Sequence, residues 1–558
     1  MSWFTARRSG FGLVLLVALA IVGSTTIAGQ RNGAALSETA PRLVVLLVVD
    51  QMRADYVDRF QADWTGGLKR LIAQGARFTN AAYPYLETYT CAGHATVATG
   101  AFPHVHGIFQ NTWYERARDA AVTCTDDTAG EPVTYGPGRG RSDGPGRLMV
   151  ATFADEMRLQ RSARIVSLAL KARSAIMMAG HGGDAVTWLA DTLDGWQTSK
   201  PYAARQVAAV KTYVDRYPID TDYGKVWSRL LPAASYPEAD AGEGEAAPEG
   251  WTTTFPHPLI GKARVPDAQF HDLWQHSPFG DAYIGRMAAG LTQSLRLGRA
   301  GATDVLAVSF SSPDLVGHQF GPASQEVRDM YAQLDRTIGQ LLDRLDAIVG
   351  RNQYVVALTA DHGVTDIPEQ LKRRGTSAGR LIATTISGVA QQAAESVLGP
   401  GRYVARVVSN DIYFHPGIYD RLRQQPGALD TIVTALTNQE GVSRVLKSDE
   451  LTNGDASSDV VVKAAALSYV PERSGDLILV TKPGWMFSVQ GTTHGSANAD
   501  DQRVPLLFMG HGIKPGTYAD VVTPADVAPT LASIAGISLP AAEGRALSVA
   551  IDRARSTR

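Results

Sequence analysis

The sequence predicts an α/β fold: an α/β/α sandwich around a mostly parallel sheet, with a cap domain inserted late in the chain. Three observations carry this reading. Five short runs rich in Val, Ile and Leu are apolar throughout rather than alternating, as strands covered on both faces are. Helical segments lie between them. Most of the runs end beside charged or imidazole side chains, at the rim where open α/β sheets bind their ligands.

The first run is LVVLLVV, Leu43 to Val49, and it ends at Asp50. Ile165 to Leu170 leads into Lys171 and Arg173, and Val305 to Phe310 is soon followed by Asp314 and His318. Tyr354 to Ala360 ends at Asp361-His362, and Val504 to Met509 comes just after His494. All five read as buried parallel strands. The clearest helix runs from Val327 to Ile348, where Val327, Met330, Leu334, Ile338, Leu341, Leu342 and Leu345 recur at helical spacing. Thr523-Pro-Ala-Asp526 has the N-cap, first-position proline and early acid of another helix start. The acidic, Ala-, Gly- and Pro-rich stretch from Tyr236 to Gly250 reads as a surface loop. From 375 to 474 the pattern becomes mixed strand and helix without ligand-bearing strand ends, so this stretch is assigned to the cap. The expected boundaries are a leader over 1–28, core over 40–374, α+β cap over 375–474, and core again over 475–550.

The leader is read from Arg7 and Arg8, the apolar run FGLVLLVALAIV from Phe11 to Val22, and Thr26-Ile27-Ala28 as a cleavage site. The run is shorter than the ~20 apolar residues of a membrane span. A secretory signal peptide follows, and with it a periplasmic or secreted protein that has no membrane contact after cleavage. An uncleaved anchor is the plainer alternative, and the two arginines leave Sec and twin-arginine export both open. With 558 residues, 44% of them hydrophobic, the chain has ample material for a large core. A net charge of −2 and the absence of a long basic run speak against nucleic acid as a partner. Nothing demands an oligomer, and a monomer is compatible with the sequence. Only Cys91 and Cys124 are present. In an oxidising compartment they could pair, although spacing alone does not bring them within bonding distance.

Taken singly, the polar strand ends are ordinary: Asp361-His362 would pass as a turn, Asp314 and His318 as surface residues four apart. Together, Asp50, Asp314, His318, Asp361, His362 and His494 bring three carboxylates and three imidazoles to one sheet rim, the donor types that suit two zinc ions. In TYTCAGHATVATG, residues 88–100, Thr90 stands beside Cys91. An isolated Thr90 would be a helix N-cap, but a neighbouring metal ion stabilises a threonine alkoxide, whereas Cys91 would be a soft ligand among hard ones. Thr90 is therefore the expected nucleophile.

ETYTCAGHATVATG, the following PHVHG at 103–107 with Asn111, and the Lys171-Ala-Arg173 triplet resemble the alkaline phosphatase superfamily, in particular its PafA-like bacterial branch with a threonine nucleophile. The likeness spans roughly 40–370 and 480–547. It implies one zinc on Asp314, His318 and His494, a second on Asp50, Asp361, His362 and the Thr90 oxygen, and Asn111, Lys171 and Arg173 on phosphoryl oxygens. Cys91-Ala92 departs from the Ala-Pro pair of similar members. The implied chemistry is in-line displacement at a small-molecule phosphate ester through a phosphothreonine, in a phosphate scavenger of broad specificity. Two fixed cations, Lys171 and Arg173, favour the dianion of a monoester over the monoanion of a diester. A nucleotide pyrophosphatase/phosphodiesterase of the same superfamily is the first alternative, and a secreted zinc-binding module without catalysis the second. A sulfatase is disfavoured, because Cys91-Ala-Gly-His-Ala lacks the Pro and Arg of that motif.

Overall fold

The run from Leu43 to Val49 becomes a seven-residue strand whose every side chain is buried. Its alternate residues enter two different cores. Leu43, Val45, Leu47 and Val49 pack with the helices Pro278–Ser294 and Gln325–Ile348. Val44, Leu46 and Val48 pack with Phe153–Arg161 and Val527–Ala535. A strand with helices on both faces has no polar side to expose, which is why the run does not alternate. Burial of each such side chain contributes about 1.5–3 kcal/mol. The structure, a computed structural model, describes residues 40–299 and 301–552. The expected leader at 1–28 lies outside these residues.

The main sheet has ten strands, in the order Gly516–Val522, Ala76–Ala81, Leu506–Gly510, Tyr354–Thr359, Leu43–Val49, Asp304–Phe310, Ile165–Leu168, Ala185–Leu189, Trp196–Ser199, Pro132–Thr134. Leu43–Val49 sits near the middle, parallel to both neighbours, with Val49 opposite Phe310 and Val48 opposite Thr359. This is the mostly parallel α/β/α sandwich that the sequence predicts. One strand differs from expectation. Leu506–Gly510 runs antiparallel to both Tyr354–Thr359 and Ala76–Ala81. The reversal is what makes His494 useful: Leu506 begins opposite Thr359, so a residue preceding an antiparallel strand reaches the same rim as residues following parallel ones.

The helix expected from Val327 is Gln325–Ile348, capped by Ser324 Oγ, which accepts the Val327 N–H at 3.1 Å. At Thr523 a capping box with Asp526 opens a single turn that continues into Val527–Ala535. The acidic stretch at 236–250 is more than a surface loop. Tyr236 is buried and donates its hydroxyl to Asp329, Glu238 pairs with Arg328, and Asp240 pairs with Arg229. Opposite charges on the Gln325–Ile348 helix and nearby loops draw the acids inward.

A second sheet takes Val404–Val408, Asp411–Phe414, Leu477–Thr481 and Val442–Lys447, in that order, all antiparallel. Helices Ala383–Leu398 and Ala428–Thr437 cover it around a core of its own. Three of these strands fall within the expected cap at 375–474, and Leu477–Thr481 lies just beyond it. Among the described residues, no helix is long and apolar enough to cross a membrane.

Candidate active site

Asp50 directly follows the central strand, and its backbone N–H continues the ladder to the Phe310 carbonyl at 3.0 Å. Asp361 and His362 follow the neighbouring strand. Asp314 and His318 lie one turn apart on the helix Ser312–Phe320, with His318 Nε2 3.1 Å from Asp314 Oδ1. That helix is held at its start by Asp281 from Pro278–Ser294, whose Oδ1 accepts the N–H groups of Ser311 and Ser312 at 3.0 and 3.3 Å. His494 enters on the loop before the reversed strand.

The three imidazoles share one device. Each Nδ1 donates to a backbone carbonyl: His318 to Thr492 at 2.8 Å, His362 to Gly363 at 2.9 Å, His494 to Thr88 at 2.6 Å. A carbonyl can only accept, so Nδ1 carries a proton in each ring, and the neutral ring then turns its Nε2 lone pair inward, as metal-ligating histidines are oriented. These Nε2 atoms face the carboxylates. His362 Nε2 lies 3.5 Å from Asp50 Oδ1 and 3.4 Å from Asp361 Oδ2, and His494 Nε2 lies 3.8 Å from Asp314 Oδ1. Ligand atoms of Asp50, Asp361 and His362 all lie within 4.8 Å of one another, and so do those of Asp314, His362 and His494. His362 thus stands between the two groups, its ring stacked on that of His494, while His318 adjoins the second group through Asp314.

Thr90 opens the helix Thr90–Thr99, with Oγ1 3.3 Å from His362 Nε2. The first turn of a helix favours negative charge there. The helix comes this close because residue 93 is glycine: a Cβ would lie 2.0 Å from the Asp361 carbonyl oxygen. Lys171 and Arg173 mark the start of a second helix, Ala172–Ala179. The Lys171 ammonium hydrogen-bonds Asp50 Oδ2 at 2.6 Å and also touches Asp314 Oδ2. Asn111 turns Oδ1 to the Cys91 N–H at 2.9 Å, which leaves its Nδ2 to donate elsewhere. Asn111, Lys171 and Arg173 line one cavity of about 260 Å³, bordered also by Arg141 and Asp143. Cys91 and Cys124 are disulfide-bonded, with Cα atoms 6.6 Å apart. The bond ties the Thr90 helix to the hairpin that follows Asn111.

The electrostatics are those of a cation-binding cluster. Burial pushes the Asp50 carboxyl well above the usual carboxylate range, Asp314 and Asp361 push it further, and Lys171 only partly offsets them. Its Oδ1 is buried and accepts no hydrogen bond. Asp314 is held below the usual range despite burial, by His318 and Lys171. Burial keeps His362 and His494 neutral, His494 further disfavoured as a cation by His362 and His318. Asp314 in turn raises the His318 pKa against its burial. Three carboxylates facing one ammonium and the neutral rings of His362 and His494, with an unpartnered carboxylate oxygen, fit divalent metal ions.

Sequence reading missed several supporting residues. His94 is fully buried, donates Nδ1 to the Thr90 carbonyl at 2.9 Å and lies 3.1 Å from Asp361 Oδ2. Its place four residues after Thr90 was the available signal. Asp501 receives the Ser496 N–H and hydroxyl at 3.1 and 2.6 Å and the Thr365 hydroxyl at 2.8 Å, joining the His494 loop to the Asp361–His362 loop. Nothing in the local sequence distinguishes it from a surface acid.

The fold and site define a hydrolase built on the alkaline phosphatase plan, with two residue groups that could hold metal ions. The family model described as type I phosphodiesterase / nucleotide pyrophosphatase matches residues 44–500. The chain is 30% identical to alkaline phosphatase PafA of Elizabethkingia meningoseptica, over 92% of this chain and 95% of that one. It is also 30% identical to alkaline phosphatase PhoV of Synechococcus elongatus, over 94% of this chain and 97% of the relative. The crystal structure of wild-type PafA superposes with a TM-score of 0.84, covering 92% of this chain and 99% of that one. The chain belongs to the type I phosphodiesterase / nucleotide pyrophosphatase family and, within the alkaline phosphatase superfamily, to its PafA-like branch. Its enzyme class is alkaline phosphatase, a phosphate monoester hydrolase.

Proposed function

We propose that this chain is an exported, zinc-dependent phosphatase of broad specificity that transfers the phosphoryl group of small-molecule monoesters to Thr90 and then to water. The observation that carries the reading is the position of Thr90 Oγ1, 3.3 Å from His362 Nε2 at the head of a helix, beside the carboxylates that Lys171 bridges. Asp50, Asp361 and His362 would hold the ion next to Thr90, and Asp314, His318 and His494 the other. Bound there, two zinc ions would supply positive charge at the entering and leaving oxygens.

The chain's own groups do the rest. The Thr90 hydroxyl gives up its proton to solvent and its oxygen forms a bond to phosphorus as the bond to the alcohol oxygen breaks, and that oxygen leaves with a proton from solvent. Water then attacks the phosphothreonine, the bond from phosphorus to Thr90 breaks, and the threonine oxygen regains its proton. Asn111 Nδ2, the Lys171 ammonium and the Arg173 guanidinium would take the equatorial oxygens, where charge collects in a loose transition state. Export is supported by the Cys91–Cys124 bond, which persists in oxidising compartments, and by the apolar N-terminal run. Phosphate scavenging follows from broad monoester specificity in such a compartment.

The description of the matching family keeps a phosphodiesterase as second reading. Comparing an aryl phosphate monoester with its matching diester separates them: the monoester should turn over faster. Activity should vanish with a chelator and return with zinc. Protein quenched during turnover should carry one phosphoryl group on the peptide containing Thr90, and Thr90→Ala should lose both that adduct and activity. Undiminished turnover by Thr90→Ala would end the nucleophile assignment.

A further inference from the structure

We propose that Gln51 is a positioning residue that orients one carboxylate from each of the two ligand sets; this rests on the two-ion reading above. Gln51 is nearly fully buried and has φ of +69°, a left-handed conformation that side-chain-bearing residues adopt at a cost in free energy. The conformation turns both of its donors inward. The backbone N–H reaches Asp361 Oδ1 at 3.1 Å, and the side-chain Nε2 reaches Asp314 Oδ1 at 2.7 Å. Asp361 belongs to the set beside Thr90 and Asp314 to the other set. Asp50, the third carboxylate, is the adjoining residue, so two consecutive positions organise every carboxylate of the cluster.

The fold makes room for this arrangement. Residue 317, on the helix turn between Asp314 and His318, is glycine, and a Cβ there would come within 1.8 Å of Gln51 Oε1. The amide therefore lies across the helix where any other side chain would displace it. An amide is also the right chemistry. It donates to Asp314 without adding charge, whereas a glutamate would place a fourth acid in the cluster and a lysine would compete with the ions for the carboxylates.

Because the two donors come from different parts of one residue, they can be removed separately. Gln51→Gly keeps the backbone N–H to Asp361, suits the positive φ, and removes only the amide to Asp314. Metal-free protein would be titrated with zinc against a chromophoric chelator, with thermal unfolding measured alongside. Wild type should bind two ions. In Gln51→Gly one ion should weaken by about 10-fold or more, while the other stays within about 3-fold, as expected for loss of a hydrogen bond to a single ligand. Gly317→Ala should weaken the same ion in the wild-type background, but have no further effect in Gln51→Gly, where the amide it displaces is gone. Equal affinities for both ions in Gln51→Gly and wild type would overturn the proposal, as would equal weakening of both ions. Wild-type protein that binds fewer than two ions would instead remove the two-ion reading itself, and the role of Gln51 with it.

Discussion

The Lys171 ammonium lies 2.6 Å from Asp50 Oδ2, so the residue that follows one strand of the sheet neutralises the residue that follows another. It also touches Asp314, and with burial opposing it, these two carboxylates raise its pKa.

Lys171→Ala and Arg173→Ala should each reduce monoester turnover by about 10²-fold, the typical cost of losing one transition-state donor. Diester turnover should fall less, since a monoanion gains less from each cation. Paired rate measurements on both substrates check this; a larger loss on the diester would favour the phosphodiesterase reading.

The Cys91–Cys124 bond closes a loop of sequence separation 33. Replacing both cysteines with alanine should lower stability by about 4 kcal/mol through the chain entropy of the unfolded state. Because Asn111 bonds Cys91 N–H through its side chain and Cys124 N–H through its carbonyl, KM for a monoester should rise too. Denaturant unfolding and steady-state kinetics would show both effects, and an unchanged midpoint in the double variant would contradict the first.

Gly93→Ala should be severe, since its Cβ would sit 2.0 Å from backbone rather than from a movable side chain. The Thr90 helix would have to shift away from Asp361, and on the proposed mechanism activity should fall by at least about 10²-fold, the cost of ångström-scale misplacement. A crystal structure of the variant with Thr90 unmoved would refute this.

Glu326 pairs through Oε1 with His257 Nε2 at 3.0 Å, and both side chains are fully buried. Burial lifts the Glu326 carboxyl to about 8 and lowers His257 to about 4, so the pair is neutral near pH 7. The unfolded chain ionises this acid near 4.5, while the native state keeps its proton up to about 8. The stabilisation is therefore complete below 4.5 and is lost as pH rises towards 8. Glu326→Gln, which mimics the protonated acid, should gain on wild type by roughly 1 kcal/mol per pH unit across that window. Urea melts at several pH values check it; a difference independent of pH would show that Glu326 is ionised in the native state.

Much of the site was legible because its chemistry is local. Asp50, Asp361-His362, Lys171 and Arg173 each follow an unbroken apolar run, and in a sheet covered on both faces such run ends collect at one rim. Asp314 and His318 share a helix face by spacing alone. Gln51, His94, Asp281 and Asp501 were not legible. Their roles depend on which way a buried side chain turns and on a carboxylate hundreds of residues away.

By itself, the sequence determined the layered α/β class, the strands that build the rim and the donor types gathered there, since apolar periodicity and residue chemistry are properties of short segments. The tertiary structure alone decided that Leu506–Gly510 runs against its neighbours, that Cys91 meets Cys124, and that Gln51 bridges Asp314 and Asp361. Strand direction follows from the path of the connecting chain, and close pairings follow from how whole layers pack. Neither is written in the composition of the segments that meet.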